Sequence, residues 1–543
     1  MARELTIRLQ TDQGIPLYRQ IYNYVRDEIR SGSLEAGERL PSTRALASGL
    51  RVARSTADLA YSQLLSEGYI RVKKNSGYFV NEIENLAELK IDSGDKINRE
   101  KEKEKENGNR KKREDGQEID FSLRHTEMSV FPYSTWKKIM REVMAGADTE
   151  IFSHSEPGGD LSLRTTIAHY LHFSRGVRCT PEQVIVGAGN DYLLMLLRHI
   201  LGEDRRVAME EVSYLRAAQI FHSFGYALCP VRMDRDGMLP GAVLSSGADL
   251  VYAMPAHQFP VGCVMPVARR AALLSWAMEE PDRYIIEDDY DSEFRYRGKP
   301  IPALQSLDRA GKVIYIGTFS KAIAPAIRIS YMILPPGLLE RYHENCYFFS
   351  STVSRIDQRI LNEFMKNGHF ERHLNRMRSL YRMRHDELTA RLKPFAESFR
   401  ILGSGTGLHL VLEALPETIG KICSVYGLKN KEPGQIEQIL RERALEEGVS
   451  LYCLSDFRIS FDDRMISFDD RTIAFCRTYV SEDGNPFKED GRSCEKSSSG
   501  MEDPGFRRPA LLLGFGALDE EKIREGVRRL SRAWEFTLVR GSS

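Results

Sequence analysis

The chain has 543 residues, too many for one ordinary core, so two or three domains are expected. With 42% hydrophobic and 28% charged residues it is not globally disordered, and 77 basic side chains balance 77 acidic ones. No whole-chain field draws it to nucleic acid, no stretch is apolar and long enough to span a bilayer, and MARELTIRLQ lacks a signal-peptide core.

Residues 16–80 read as a compact module. Leu17, Ile21, Tyr24, Val25 and Ile29 recur at helical spacing, and Ser31-Gly32-Ser33 closes that helix. After the turn Gly37–Pro41, Ser42 is a good cap for a helix over Thr43–Gly49, and Ser55 for a third through Ser66. Tyr69–Val72 and Tyr78–Val80, joined by the basic turn Lys73–Gly77, read as a two-stranded wing. Three helices and a β-wing make a winged helix-turn-helix, mainly α, whose recognition helix begins at Arg54-Ser55-Thr56. Residues 1–80 carry 12 basic and 8 acidic side chains, a local surplus of four that suits DNA. The blander alternative is a small helical protein-interaction module.

Residues 81–117 hold Lys101–Glu106, an alternating Lys-Glu run, and the basic Arg110–Arg113, with no apolar face to bury. They read as a charged flexible linker that spans about 30 Å on average as a coil, enough to reach a neighbouring subunit.

From 118 to 543, apolar runs alternate with helical patterns, as in an α/β sheet with helices on both faces. Val184–Val186 leads to Gly187-Ala188-Gly189-Asn190, a glycine turn ahead of a leucine-rich helix, where free N–H groups favour a phosphate. Val207–Glu211, Leu250–Met254, Tyr284–Ile286 and Val313–Ile316 are further buried strands. Glu287-Asp288-Asp289-Tyr290-Asp291 crowds acids at one strand end, where an Asp suits a protonated pyridine nitrogen. Gly317–Arg328 (GTFSKAIAPAIR) sets Lys321 among small residues, where desolvation would make its amine a nucleophile towards an aldehyde. A Schiff-base lysine with an Asp for a pyridinium is the signature of pyridoxal phosphate. Taken alone, Lys321 also reads as a surface lysine in a loop. Residues 330–395 read as helical and basic, with Arg376, Arg378, Arg382 and Arg384 on a solvated face, and Gly407–Leu412 as a strand. Residues 455–508, with ISFDDR twice in tandem, read as a low-complexity insertion. The eight cysteines lack paired spacing and read as reduced thiols, with no metal site.

These motifs, in this order, resemble the MocR-type regulators, in which a GntR-type winged helix-turn-helix is joined to a fold-type-I aminotransferase-like domain. The resemblance covers most of the chain outside the linker and insertion. It implies a multidomain protein, with a winged helix-turn-helix over 13–80 and an α/β pyridoxal phosphate domain over 118–543. By resemblance, Lys321 carries pyridoxal 5'-phosphate, Asp288 meets its ring nitrogen, Tyr290 its ring hydroxyl and Arg328 its phosphate. Ala188, Gly189, Asn190 and Ser320 complete the cofactor site, and Tyr214 stacks on the ring. Arg216 meets a ligand carboxylate. Where the enzymes have an Asn this chain has Phe259, which leaves His257 or Gln258 as substitutes. Leu512 stands where aminotransferases grip the substrate carboxylate with Arg, so Arg507 or Arg508 would have to reach in. In the first module Arg44, Arg54, Ser55, Thr56 and the wing residue Gly77 contact DNA, and Ala53 replaces a usual Ser. The expected partners are a double-stranded DNA operator, a small amino compound and a second copy in a homodimer, with no membrane. The expected function is a cytoplasmic regulator that senses an amino compound, or the cofactor itself, by exchange at Lys321. Two alternatives stand: an active aminotransferase with an attached DNA-binding domain, and a DNA-binding protein with a silent scaffold.

Overall fold

The computed structural model describes Ile7, Leu9 and residues 16–81, 118–459 and 508–535, less positions 32, 68, 74–75, 124, 147–148, 297–300, 404 and 430–431. The linker beyond 81, the repeated ISFDDR beyond Ile459, and Arg507 lie outside the described residues. The chain divides into two compact units, Met1–Glu114 and Asp115–Ser543.

In the first unit, α1 (Leu17–Arg30), α2 (Thr43–Leu50) and α3 (Arg54–Ser66) precede β1 (Ile70–Lys73) and β2 (Gly77–Val80). One core holds them: Ile21 and Val25 of α1 meet Leu46 of α2, Ala57, Tyr61 and Leu64 of α3, and Ile70 and Val80 of the wing. Ser42 caps α2 as expected, its Oγ accepting the Ala45 N–H at 3.1 Å. Ser55 does not cap α3. That helix starts two residues earlier, at Arg54, with Ala53 at the N-cap and no side-chain bond there, because only Val52 and Ala53 separate it from the Arg51 cap of α2. Arg51 ends α2 at φ 53, the left-handed conformation that closes many helices.

The second unit is built on a seven-stranded mixed sheet. Its spatial order is Val184–Gly187, Ser330–Ile333, Val313–Thr318, Tyr284–Asp289, Leu250–Ala253, Arg206–Glu210, Ala227–Val231. Ser330–Ile333 runs antiparallel to both neighbours and the other adjacent pairs are parallel. Both faces are covered, so the strands read as continuous apolar runs. Ile314 and Ile316 face a core with Leu193 and Leu197 of the helix Asn190–Leu201, while Tyr315 faces one with Ile167, Ile360 and Phe364. A smaller antiparallel sheet orders Phe399–Leu402, His409–Ala414, Ala510–Gly514 and Tyr452–Cys453, with Trp534 buried behind it.

Two expectations need correction. Residues 330–395 are not all helical: Ser330–Ile333 is a central strand, and the helices are Pro336–Asn345, Arg355–Lys366 and His369–Leu392. Of the four arginines thought solvated, Arg384 is buried against Glu127 and donates to the Gly516 carbonyl at 2.6 Å, and Arg378 donates to the Glu293 carbonyl at 2.7 Å. Long aliphatic stems let such side chains cross a helix face to distant carbonyls, which periodicity does not register.

Candidate functional site

The parallel strands of the large sheet end on one edge, the place where open α/β sheets gather ligands. Lys321 follows the strand Val313–Thr318, and its Nζ donates to the Leu123 carbonyl at 3.0 Å. The loop before it is pinned: Thr318 Oγ1 accepts from the Ser320 N–H at 3.2 Å and from Ser330 Oγ at 2.9 Å.

Asp288 stands on the adjacent strand, paired in register with Ile316. It is 4% exposed, and burial pushes its carboxyl up to about 7. Tyr252 donates to its Oδ2 at 2.5 Å, and the Asn190 amide reaches both oxygens at 3.3 and 3.4 Å. A buried acid oriented by neutral donors is ready for a cationic N–H partner. The acidic run closes the strand as expected: Glu287, Asp288 and Asp289 are its last three residues and Asp291 lies just past it, and partners from elsewhere in the fold hold these acids. Glu287 accepts the Leu304 and Gln305 N–H groups at 2.8 Å, and burial raises it to about 7. Asp289 pairs with the buried Arg175 at 2.7 Å and accepts from Tyr315 at 2.5 Å.

Past the end of the edge strand Val184–Gly187, Gly189 has φ 94, and a Cβ there would collide with the Arg328 guanidinium. The guanidinium therefore lies against a bare backbone at the N-terminus of Asn190–Leu201. Arg328 and Arg216 share one carboxylate, Asp191 Oδ2, at 3.4 Å each. Two cations on one anion leave net positive charge where a phosphate would bind. Arg216 is thus beside Arg328 rather than apart from it. The Ala188 N–H is taken by Thr352 Oγ1 at 3.0 Å, and the Asn190 amide faces Asp288.

Tyr214 begins the helix Leu215–Ser223, its ring edge-on to Phe259 at 6.1 Å. Tyr290 OH lies 2.9 Å from His257 Nδ1, which is also 2.9 Å from Asp291 Oδ1. Gln258 is used by its own loop, donating to the Val212 carbonyl at 2.8 Å and accepting the Val261 N–H at 3.0 Å. Leu512 is buried among Val212, Val261, Val411 and Leu454, and Arg508 stands 3.9 Å from Glu413.

Tyr252, Asp291, Arg175, Thr352 and the Leu123 carbonyl were not singled out from the sequence. For Tyr252 a signal existed. Its register partner is Ile286, two residues before Asp288 and on the same face of the sheet. The others come from elements far apart in the chain.

In the first unit Arg44, Arg54 and Ser55 are exposed and Thr56 is half-buried. Arg54 Nε lies 3.6 Å from Asp58 Oδ2, one turn along α3. Gly77 has φ 104 at the start of β2, with Arg39 packed beside it and Lys73 over the Phe79 ring at 5.6 Å. Among the described residues no helix is long and apolar enough to cross a membrane, and no cluster of side chains suits a metal.

Residues 17–80 match the family described as bacterial regulatory proteins, gntR family, and residues 123–466 match aminotransferase class I and II. The HTH-type transcriptional regulator YdeL of Bacillus subtilis (strain 168) is 36% identical, over 98% of this chain and 100% of that protein. The probable rhizopine catabolism regulatory protein MocR of Rhizobium meliloti is 34% identical over 74% of this chain and 83% of its own length. The pyridoxine biosynthesis transcriptional regulator PdxR of Corynebacterium glutamicum is 31% identical over 76% and 86%. Pyrococcus horikoshii kynurenine aminotransferase shares the fold at 23% identity and a TM-score of 0.59, covering 78% of this chain and 92% of that one.

Pyridoxal phosphate is the cofactor of the aminotransferase domain, and the residues present fit it. A lysine amine, a buried acid with unmet capacity for a cation, and a guanidinium at a helix N-terminus all stand on one sheet edge. Asn190 Oδ1, buried and without a partner among the described residues, is a further acceptor there. The chain belongs to the MocR-type transcriptional regulators, a gntR-family helix-turn-helix joined to an aminotransferase class I and II domain.

Proposed function

We propose that this regulator binds an operator through its winged helix and responds to an amino compound, or to the cofactor itself, at Lys321. The observation that carries the reading is the shared edge of Lys321, Asp288, Tyr290 and Arg328 in a chain that also bears a helix-turn-helix. When bound, the cofactor supplies an aldehyde carbon that joins an amine. Lys321 is the amine at rest, and an incoming amine competes with it. Asp288 would meet the ring nitrogen and Tyr290 the ring hydroxyl, Arg328 with Ala188, Gly189, Asn190 and Ser320 would hold the phosphate, Tyr214 would cover a ring face, and Arg216 would meet a ligand carboxylate. Coupling to DNA requires the ligand to bind two conformations with different affinity. The working form is a homodimer in the cytoplasm. Its DNA-binding domain is 13–80, its tether 81–117 and its cofactor domain 118–543, within which 455–508 is an insertion.

An amino-acid-converting enzyme is the less supported reading, since Leu512 is an apolar core residue and Arg508 lies beside Glu413. The test is the visible spectrum of the purified protein, followed after adding a panel of amino compounds. A band that shifts and stays supports the sensor, and one that decays with release of keto product would replace it by a transaminase. Lys321→Ala should abolish the lysine-linked band while leaving the fold and DNA binding, and a retained band would remove Lys321 from the site.

A further inference from the structure

Beside the proposed ring site is a buried trio whose protons have a definite arrangement. His257 Nδ1 lies 2.9 Å from each Asp291 carboxylate oxygen and 2.9 Å from the Tyr290 hydroxyl. His257 and Asp291 are only 2% and 4% exposed. The other imidazole nitrogen, Nε2, is buried and has no hydrogen-bond partner among the described residues. Two glycines make room for the ring: a Cβ on Gly407 would enter the imidazole, and one on Gly262 would stand 3.3 Å from Nε2.

A buried N–H without an acceptor is rarer and costlier than a buried lone pair without a donor. A carboxylate 2.9 Å from a bare lone pair would also be repelled. Both arguments put the proton on Nδ1. From there it is donated to Asp291, and the Tyr290 oxygen at the same distance meets it as a second acceptor. Tyr290 then has no acceptor in His257 for its own proton. Burial, the first cause, and the carboxylates of Asp291, Asp288 and Asp289 raise the phenol well above its ordinary range, so it keeps that proton. Phe259, edge-on to Tyr290 at 6.0 Å, offers no polar atom that would take it.

We propose that the His257–Asp291 pair is a positioning device that turns the Tyr290 hydroxyl proton towards the ligand, making the phenol a donor to an anionic ring oxygen of the cofactor. This rests on the reading of Lys321 as the cofactor's anchor. Neither His257 nor Asp291 touches the cofactor in this role. The surrounding titratable groups are Asp288 and Asp289 from the strand Tyr284–Asp289, Cys263 from the loop after Leu250–Ala253, His409, and Lys321. Burial holds His409 down at about 3, so it stays neutral across the range of the test, and Asp288 is common to every variant compared.

The test is a pH titration of the absorption band of the full-length protein loaded with pyridoxal phosphate. Wild type is compared with Tyr290→Phe, Asp291→Asn and His257→Gln. A ring oxygen that loses a donor holds the proton of the adjoining Lys321 linkage more tightly. The midpoint should therefore rise by about one pH unit in Tyr290→Phe, and in the same direction in the other two. Asp291→Asn preserves volume and remains informative if His257→Gln does not fold. An unmoved midpoint in Tyr290→Phe, or a shift there with none in Asp291→Asn, overturns the positioning role and leaves Lys321 as anchor. Absence of a lysine-linked band in wild type overturns both.

Discussion

Tyr252 donates its hydroxyl proton to Asp288 across two adjacent strands, 2.5 Å from oxygen to oxygen, at the buried centre of the site. The bond favours the charged carboxylate, yet burial outweighs it and raises the acid from 3.8 to about 7. In the folded protein the proton therefore stays on to near neutrality, whereas in the unfolded chain it leaves near pH 4. Between those values the native state binds more protons, so stability present at low pH is lost as pH rises through the window. Glu210, Glu287 and Glu293, each raised to about 7 by burial, act in the same direction. Carboxyls held low by arginines, such as Asp234 beside Arg269, contribute their pH dependence below about pH 4. The cofactor-free protein should unfold roughly a few degrees lower at pH 8 than at pH 5. Asp288→Asn should shrink that difference in calorimetry. An equal drop in the variant would remove Asp288 as a source of it.

Gly189→Ala tests the phosphate end. The substitution places a methyl where the Arg328 guanidinium lies and strains a backbone at φ 94. Affinity for pyridoxal phosphate, read by absorbance titration, should fall by about tenfold or more. Unchanged affinity would mean that Arg328 holds no phosphate.

Arg54→Ala tests the DNA side. The guanidinium is exposed on the first turn of α3. Its loss should weaken operator binding by about 1–3 kcal/mol and leave the cofactor spectrum unchanged. Full DNA affinity in the variant would move the recognition surface elsewhere.

Ser42→Ala tests a local stability element. Ser42 Oγ satisfies the Ala45 N–H at the start of α2, and losing such a cap costs about 1 kcal/mol. The first unit should melt earlier, while the cofactor band keeps its own transition. A single unchanged transition would show that the cap is replaced by solvent.

Much of this was legible in the sequence for physical reasons that differ by element. Apolar runs such as Val313–Ile316 announce buried strands because both faces of the sheet are covered. The glycine turn at Gly189 announces close approach, which in the structure is that of the Arg328 guanidinium. Other features depend on partners far away in the chain. Glu287 and Asp289 stay within a strand because Leu304, Gln305 and Arg175 receive them. Ser330–Ile333, only four residues long and polar at Ser330, was hidden among helical patterns until its two antiparallel neighbours fixed it. Asp291 joins His257 from a different strand end, a pairing that no periodicity encodes.

The carbonyl that Lys321 holds belongs to Leu123, in the short stretch through which the chain first enters its second unit. That stretch is tied down on both sides: Ile119 and Asp120 pair with Val449 and Ser450, and the Phe121 carbonyl accepts the Gly514 N–H at 2.9 Å. The same nitrogen that would bond a cofactor thus also tethers the threshold of the domain. An amine committed to a covalent bond would have fewer protons to give, so loading the site would loosen its hold on the Leu123 carbonyl. On this reading, filling the site and holding the chain's point of entry would compete for one nitrogen, while the strand pairs and the Phe121 bond keep the rest of that stretch in place.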